Sequence, residues 1–256
     1  MSSNTTTVWP PEVLTLAIDV GGTGLKAAIL DAQGQMQTER TKIATPYPCP
    51  PPLLVESLVG LTAPLGEFHR VSVGFPGLVR EGRVIEVPSL SRSVYGGATD
   101  PQLRGMWHGF DLATALADAY KVPVKVANDA DVQGCAVAQG TGFEFVMTLG
   151  TGVGTALFNE GRLLPHMELS HAPFLKGLTF DLALGNAARK EIGTKKWVKR
   201  VHKAISAFDD FLFFDRLYIG GGNAKFLITE PLGPKAEIVS NTAGILGGIR
   251  IWDLEK

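Results

Sequence analysis

Residues 14–30 read LTLAIDVGGTGLKAAIL, two short apolar runs separated by a glycine-rich turn at residues 21–24. Short apolar runs bounded by turn residues are typical of buried strands. The stretch therefore predicts two strands joined by a tight turn, with Asp19 near the end of the first strand. A similar arrangement, FVMTLGTGVGTALF, recurs at residues 145–158. Two half-similar α/β units with a cleft between them would explain the repetition, and chance similarity of glycine turns is the alternative.

Further apolar runs and helical periodicities fill most of the chain and favour an α/β fold. Helices are predicted at 53–65, from Asp111 to before Pro123, at 130–139, at 182–212 and from near Thr242. A strand that runs into a Gly-Pro-Gly loop is predicted within 71–77, and further strands are predicted at 122–127, 217–219 and 236–239. The remaining segments are predicted as a frayed tail at 1–12, an extended proline-rich connector at Pro46–Pro52 and a loop at 91–106.

The length of 256 residues allows one or two domains. We place a smaller α/β domain at residues 1–127 and a larger one at 128–256, with the C-terminal helix packing back on the first. The 24 Lys and Arg against 25 Asp and Glu give a formal net charge of −1. That balance offers no electrostatic reason to expect nucleic acid or an anionic membrane as a partner.

Cysteine content and hydropathy bear on the compartment. Cys49 and Cys135 are too few for a disulfide framework. No stretch approaches the roughly 18 consecutive apolar residues of a membrane span, and the first residues do not resemble a secretory signal. We therefore expect a cytoplasmic protein.

Three glycine-rich turns are candidate phosphate sites. Glycine tolerates positive φ and lets an anion approach backbone N–H groups closely, so such turns form anion-binding concavities. The turn residues are Gly21, Gly22, Thr23 and Gly24, then Gly150, Thr151 and Gly152, then Gly220, Gly221 and Gly222. Each turn could equally just connect two strands. Walker A and GxGxxG strings are absent from the sequence, which disfavours a P-loop NTPase or a dinucleotide fold.

Two carboxylates stand at predicted strand ends. Asp19 precedes the first glycine turn, where Mg²⁺ would relieve its repulsion of a bound phosphate; a turn-capping role is the alternative. Asp129 follows the buried strand at 122–127, where a carboxylate can act as general base towards an alcohol. The amide of Asn128 suits a polyol, and capping of the following helix is its alternative role.

Glu168 and His171 are one helical turn apart if their segment is helical. Metal ligation is one interpretation, but a Cys pair or second His at metal-site spacing is missing nearby. Sugar hydroxyls need such paired donors and acceptors, so substrate contact is favoured. His166 and His202 are predicted to be surface histidines.

Seven motifs occur in a fixed order, and together they resemble the ROK family of sugar kinases within the actin/hexokinase-like superfamily, most closely its short polyphosphate-using glucokinase branch. The motifs are DVGGTGLK (19–26), GFPG (74–77), VANDAD (126–131), TLGTGVG (148–154), ELSH (168–171), YIGGGN (218–223) and AGILGG (243–248).

The resemblance implies a two-domain α/β fold with a ribonuclease H-like core, whose halves close over a hexose. It implies that Asp129 is the catalytic base, and that Asn128, Glu168 and His171 hold the sugar, with Gly77 lining its site. The first turn, including Asp19 and Lys26, would face Mg²⁺ and the transferred phosphoryl group, with the metal bound to Asp19 through water. Donor phosphates would lie at Gly150, Thr151 and Gly152, and the adenosine end near Gly221, Gly222 and Asn223. Family members are commonly homodimers.

The sequence departs from the family pattern at three places. The zinc-binding Cys cluster is absent after His171, so no structural zinc is expected. A second sugar-contacting Glu is missing with it, and Asp181 is a candidate replacement. Ser170 replaces the Gly of the ExGH motif, and Ser89 replaces an Asn before the unusual stretch Ser91–Met106. These changes bear on hexose selectivity rather than on the type of reaction.

A basic cluster bears on the phosphoryl donor. It comprises Lys195, Lys196, Lys199 and Arg200, with Lys203 nearby. Such a cluster could guide a polyphosphate chain, or it could simply be a solvated helix face. The sequence thus predicts a phosphotransferase that uses polyphosphate, ATP or both on glucose or a close hexose. The alternatives are an ATP-only kinase for mannose or an N-acetylhexosamine, and a catalytically silent sugar sensor.

Overall fold

The structure is a computed structural model that describes residues 9–239 and 243–252. In chain order the strands are β1 (Thr15–Val20), β2 (Gly24–Leu30), β3 (Thr41–Ala44), β4 (Arg70–Phe75), β5 (Leu78–Arg80), β6 (Arg83–Glu86), β7 (Val124–Asn128), β8 (Phe143–Leu149), β9 (Val153–Asn159), β10 (Arg162–Leu163), β11 (Pro173–Leu175), β12 (Leu178–Thr179), β13 (Arg216–Gly220) and β14 (Ala236–Ile238). The α-helices are α1 (Pro51–Thr62), α2 (Pro101–Trp107), α3 (Leu112–Tyr120), α4 (Asp129–Val137), α5 (Phe180–Leu184), α6 (Asn186–Ile192), α7 (Thr194–Leu212) and α8 (Ala243–Arg250).

Two five-stranded mixed sheets organise the fold. The first has the strand order β3-β2-β1-β4-β7, and the second has the order β10-β9-β8-β13-β14. Each begins with an antiparallel hairpin, β1–β2 or β8–β9, whose first strand also pairs in parallel with a later strand. The two strand–turn–strand units predicted from the sequence are therefore confirmed, one in each sheet.

The parallel pairing decides where functional side chains can meet. β1, β4 and β7 run in parallel, so their carboxyl ends lie at one edge of the first sheet. In the second sheet β8, β13 and β14 run in parallel in the same way. Ligands of α/β proteins bind outside the carboxyl ends of parallel strands. The three glycine turns follow β1, β8 and β13, so each lies at such an end.

Separate hydrophobic cores support the two sheets. Leu54 and Leu58 of α1 pack with Leu116 of α3 against the first sheet. On the second sheet the main cover is α7, which buries residues at helical spacing, including Trp197 and Phe208. The continuous apolar character of β4, buried along its whole length, follows from its position between two strands and under these helices.

Helices α4 and α8 pack against each other and link the two sheets. Val132 of α4 packs with residues of β8 and β9, whereas Ile249 of α8 packs on Ala17 of β1. The approach of the two helices requires glycine, because a Cβ at Gly247 would overlap the Val132 carbonyl oxygen. Ser72 of β4 donates a short hydrogen bond to the Gly248 carbonyl.

Three predictions of local structure are wrong. Within the predicted loop at 91–106, Asp100 caps a short helix, α2, by accepting from the amides of Gln102 and Leu103. The predicted helix at 182–212 is three helices, because the backbone is extended at Gly185 and has a positive φ at Gly193. The proline connector ends sooner than predicted, because Pro51 and Pro52 form the first turn of α1, where a missing N–H costs nothing.

The N-terminal segment differs from the prediction at Trp9. Trp9, placed in the predicted tail, packs edge-on against Trp252 and lies under the Arg70 guanidinium. The rest of the tail prediction, at 1–8, and the helix start near Thr242 lie outside the described residues. In the described part of the chain, no helix is long and apolar enough to cross a membrane.

Candidate active site

A cleft of about 730 Å³ lies where the carboxyl ends of the two sheets face each other. The predicted site residues among those that line it are Gly77, Asn128, Asp129, Gly150, Thr151, Gly152, Glu168, His171, Gly221 and Gly222. Segments far apart in sequence therefore meet in one cavity. The contribution of each residue to binding or catalysis stays a prediction.

Asp129 is the first residue of α4 and follows the end of β7 directly. Its Oδ1 accepts a hydrogen bond of 2.8 Å from the Ala130 amide. Burial and the nearby Asp19 carboxylate raise the pKa of Asp129 to about 6. A carboxylate with such a pKa is ionised near neutral pH and is a stronger base than an ordinary Asp, as a general base requires.

Asn128 has a structural role as well as a position in the cleft. Its Oδ1 accepts from the Ala130 amide at 2.8 Å, which caps α4, and its Nδ2 donates to the Gly77 carbonyl at 3.1 Å. The capping alternative is therefore confirmed. One amide N–H is not used in these two bonds.

Asp19 and Lys26 face each other across the β1–β2 pair. The Lys26 ammonium donates to Asp19 Oδ2 at 2.8 Å, and the two side chains are 40% and 39% exposed. Lys26 therefore has a partner in this structure other than phosphate. Its positive charge offsets part of the negative charge that Asp19 brings close to Asp129.

The first glycine turn adjoins the cleft but does not line it. The Gly21 amide donates to the Gly24 carbonyl at 3.0 Å and closes the turn. The Thr45 hydroxyl donates to the Gly21 carbonyl at 2.6 Å, and the Tyr47 hydroxyl donates to the Gly22 carbonyl at 2.7 Å. Tyr47 lines the cleft, so it links this turn to the cavity wall.

The second and third turns are tied together. Asp181 Oδ1 accepts from the Val153 amide at 2.8 Å and lies so close to Gly152 that a Cβ there would overlap it. Asn223 donates from Nδ2 to the Gly150 carbonyl at 3.0 Å. In this structure Asp181 and Asn223 hold the second turn in shape, and Asn223 is not part of the cleft wall.

Among the glycines of the three turns, Gly221 alone has a positive φ. Gly221 has a φ of 86° and packs against the Leu149 backbone, where a Cβ would overlap it. The other turn glycines have φ values open to any residue. At Gly152 it is close approach, and not the backbone angle, that requires a glycine.

His171 ends a short 3₁₀ turn, Leu169–His171, and Glu168 directly precedes that turn, so the predicted one-turn spacing is confirmed. Their nearest atoms, Glu168 Oε2 and His171 Nε2, are 3.9 Å apart, and the His171 side chain is 62% exposed. Both residues line the cleft.

His166 is buried, so its prediction as a surface histidine is wrong. Its side chain is 3% exposed, with Nδ1 2.9 Å from Asp131 Oδ1 and Nε2 3.5 Å from Glu168 Oε1. Burial alone would lower the pKa of His166, but bonding to Asp131 and Glu168 raises it to about 9. The protonated ring in turn lowers the pKa of Glu168. His202 lies far along α7 and is half-exposed beside Glu230.

The chemistry of Asp19 fits a water-mediated Mg²⁺ site. Mg²⁺ is usually held by one or two carboxylates, with water and substrate phosphate completing its octahedral shell. Asp19 supplies one half-exposed carboxylate close enough to Asp129 to raise its pKa. Among the described residues there is no cluster of three or more His, Cys, Asp or Glu that could hold a metal on its own.

The basic cluster lies on the first turns of α7, outside the cleft wall. Lys195, Lys196 and Lys199 are exposed, whereas Arg200 is half-buried and donates to the Ala183 carbonyl at 3.2 Å.

Sequence reasoning missed several cleft residues, chiefly Tyr47, Arg92, Tyr95 and His166. A usable signal existed for His166: it is two residues before Glu168, so in an extended segment both side chains point the same way. Tyr47, Arg92 and Tyr95 come from irregular segments, where spacing carries no such information.

The fold and this cleft define a two-sheet α/β protein of the actin/hexokinase-like class, with Asp129 in one cavity with two of the glycine turns. The ROK family profile matches residues 15–168. The chain belongs to the ROK family.

Three individual proteins are similar to this chain. The chain is 28% identical over 247 residues to the polyphosphate glucokinase of Mycobacterium tuberculosis, covering 90% of this chain and 88% of that protein. The crystal structure of the inorganic polyphosphate/ATP-glucomannokinase of Arthrobacter sp. strain KM matches with a TM-score of 0.76 and 27% identity, covering 95% of this chain and all of that one. An N-acetylmannosamine kinase of Escherichia fergusonii is 34% identical over 157 residues, covering 59% of this chain and 49% of that protein.

Proposed function

We propose that this protein transfers a terminal phosphoryl group from inorganic polyphosphate or ATP to the 6-hydroxyl of glucose or a close hexose. The observation that carries the proposal is the position of Asp129, in one cleft with two glycine turns and the Glu168–His171 pair. The relatives that align along most of the chain are named as polyphosphate glucokinase and polyphosphate/ATP-glucomannokinase, which supports this choice of donor and acceptor.

In the proposed reaction Asp129 takes the proton of the sugar hydroxyl as the oxygen attacks phosphorus. Glu168 and His171 would orient the hexose through its hydroxyl groups, with Asn128 contributing its unused N–H. Backbone N–H groups of Gly150, Thr151 and Gly152 would hold donor phosphates, while Gly21, Gly22, Thr23 and Gly24 would face the transferred group.

Asp19 would hold Mg²⁺ through water, and the ion, when bound, supplies positive charge that offsets the charge on phosphate. Before Mg²⁺ binds, Lys26 would keep the Asp19 carboxylate in place, since the two side chains are already paired. Gly221, Gly222 and Asn223 would adjoin the adenosine end of ATP. Structural zinc is not part of the proposal.

The lysines of α7 are proposed to guide a polyphosphate chain. Three exposed ammonium groups, Lys195, Lys196 and Lys199, would attract a long polyanion, with Arg200 beside them. Replacing the three lysines with Gln should raise the KM for long-chain polyphosphate several-fold and leave the KM for ATP unchanged. Equal effects on both donors would contradict the proposed path.

Domain division, assembly and location belong to the same proposal. Residues 1–127 and 128–256 would act as two lobes that close over the hexose, in a cytoplasmic homodimer with no nucleic-acid or membrane partner. The sheet arrangement supports the lobes, because each sheet lies on one side of the α4–α8 pair. Analytical ultracentrifugation with and without glucose would test the homodimer.

A grid of assays tests the function itself. Glucose, mannose and N-acetylmannosamine would each be tested with ATP and with polyphosphate, and sugar phosphate measured directly. We expect the fastest transfer to glucose or mannose. Preference for N-acetylmannosamine with ATP alone would favour the alternative function of an N-acetylmannosamine kinase, the activity named for the relative that matches part of the chain. Glucose binding by calorimetry without transfer from either donor would indicate a sensor.

A further inference from the structure

Three carboxylates line the cleft, although the proposed phosphoryl donor is an anion. Asp129, Glu168 and Asp181 line it, and Asp19 lies near Asp129. Among the described residues that line the cleft, Arg92 is the one Lys or Arg. Charge on the transferred phosphoryl group must be offset during the reaction, so the position of this guanidinium has chemical consequences.

Arg92 is held by main-chain carbonyls rather than by a carboxylate. Its Nε donates to the Pro88 carbonyl at 3.0 Å, and its Nη1 makes a short hydrogen bond to the Gly97 carbonyl. Within residues 9–239 and 243–252 it forms no ion pair. A guanidinium has five N–H donors, so three remain for a ligand, and the charge is not neutralised by the protein.

The loop that carries Arg92, residues 88–100, is closed on itself. The Asp100 amide donates to the Ser91 carbonyl at 2.8 Å, and the Ser93 hydroxyl donates to Asp100 Oδ2 at 2.7 Å. Asp100 also caps α2. Arg92 is therefore presented from a loop fixed at both ends, which limits the entropy lost when it binds a ligand.

This loop contacts the first glycine turn. The Tyr47 hydroxyl, bonded to the Gly22 carbonyl, is also 3.1 Å from the Ser89 carbonyl. A Cβ at Gly22 would meet the Tyr95 ring at 3.6 Å and Ser89 at 3.5 Å. Arg92 thus lies in the wall between the first turn and the cavity that contains Asp129.

We propose that Arg92 is a further catalytic residue, which binds the non-bridging oxygens of the phosphoryl group in transfer. The proposal rests on the proposed function. As the sugar O6–P bond forms, the bond from phosphorus to the bridging oxygen of the donor breaks, and the shortened donor leaves with that electron pair. The O6 proton passes to Asp129. Arg92 takes no proton and offsets charge on the equatorial oxygens throughout.

The test compares Arg92→Gln with Arg92→Lys. The control is Arg104→Gln, which removes the same charge from α2, where Arg104 pairs with Glu86 of β6 at the surface. Calorimetry measures the binding of tripolyphosphate and, separately, of glucose to each protein. We expect Arg92→Gln to weaken tripolyphosphate binding about 10- to 100-fold, with glucose affinity unchanged. Arg92→Lys, a point charge without the fork, should recover part of the loss.

Kinetics provide the second measurement. We expect Arg92→Gln to lower kcat and leave the KM for glucose unchanged, because the contact is to phosphate alone. Tripolyphosphate affinity equal to that of Arg104→Gln, or failure of the unaltered protein to bind tripolyphosphate, would overturn the proposal. Selective loss of anion binding in a protein that phosphorylates no sugar would instead support the Arg92 site and contradict the proposed function.

Discussion

Replacing Asp19 with Asn should move the acid limb of the pH–rate profile to lower pH. Burial is the main cause that raises the pKa of Asp129 to about 6, and the negative charge of Asp19 is the next. Removing that charge, while leaving Lys26 positive, makes ionisation of Asp129 easier. If Asp19 also holds Mg²⁺, the variant loses rate at every pH because it binds the metal less well. The readout is therefore the pH at which the acid limb falls, and not the maximal rate.

The magnitude follows from the pKa. With a pKa of about 6, Asp129 is roughly 90% ionised at pH 7 and roughly 10% at pH 5, so kcat/KM should fall about tenfold between them. An Asp with the ordinary value near 3.8 would keep its rate down to about pH 4.5. For Asp19→Asn we expect the acid limb to lie between the limbs that these two pKa values give.

Replacing His166 with Gln provides an opposite perturbation. The charge of His166 lowers the pKa of Asp129, so its loss should move the limb to higher pH. Initial rates with one donor between pH 4.5 and 8.5 compare the three proteins, and ionisation of that donor is common to all. Superimposable limbs, or a limb of the unaltered protein near pH 4, would refute this account of Asp129.

The remaining predictions concern packing and positioning. Gly247→Ala should destabilise the fold by about 1–3 kcal/mol, because its Cβ would overlap Val132 of α4; Gly60→Ala, in open space on α1, should raise the melting temperature slightly. Asp181→Ala, which removes the acceptor of the Val153 amide, should raise the KM for the donor about fivefold and leave the KM for glucose unchanged. The His166–Asp131 pair should make stability fall at alkaline pH. Because the pKa of His166 rises from 6.5 to about 9 on folding, its contribution is present below pH 6.5 and is lost as pH rises through about 9. As the pH rises through about 9, the melting temperature of the unaltered protein should fall by a few °C more than that of His166→Gln. Parallel plots of melting temperature against pH for the two proteins would contradict this prediction.

Much of the fold could be predicted because its information is local. The stretch at 14–30 carries strand, turn and strand within 17 residues, and the same pattern at 145–158 marks the second sheet. The breaks between α5, α6 and α7 could not be predicted from the apolar spacing, which continues from one helix to the next. Each break depends on the backbone conformation of a single glycine, Gly185 or Gly193.

Part of the candidate site could also be predicted, where the position of a residue follows from the order of strands and helices. Asp129 follows the end of β7 directly, so topology fixes its place at a sheet edge. The prediction that this strand is buried is wrong, because β7 lies at the edge of its sheet and is half-buried from Val124 to Ala127. Burial of His166 depends on contact with Asp131, 35 residues away, and the cleft position of Arg92 depends on main-chain carbonyls of its own irregular loop. Contacts of these two kinds leave no periodic signature in the sequence.

The most direct test of the central claim is the turnover of Asp129→Asn, measured together with its affinity for glucose. Asp118→Asn, an exposed position on α3, is the control for the same chemical change. If Asp129 is the base, kcat falls about 10³- to 10⁴-fold while glucose binds with an affinity within about threefold of the unaltered protein. A kcat within tenfold of the unaltered protein would contradict the account.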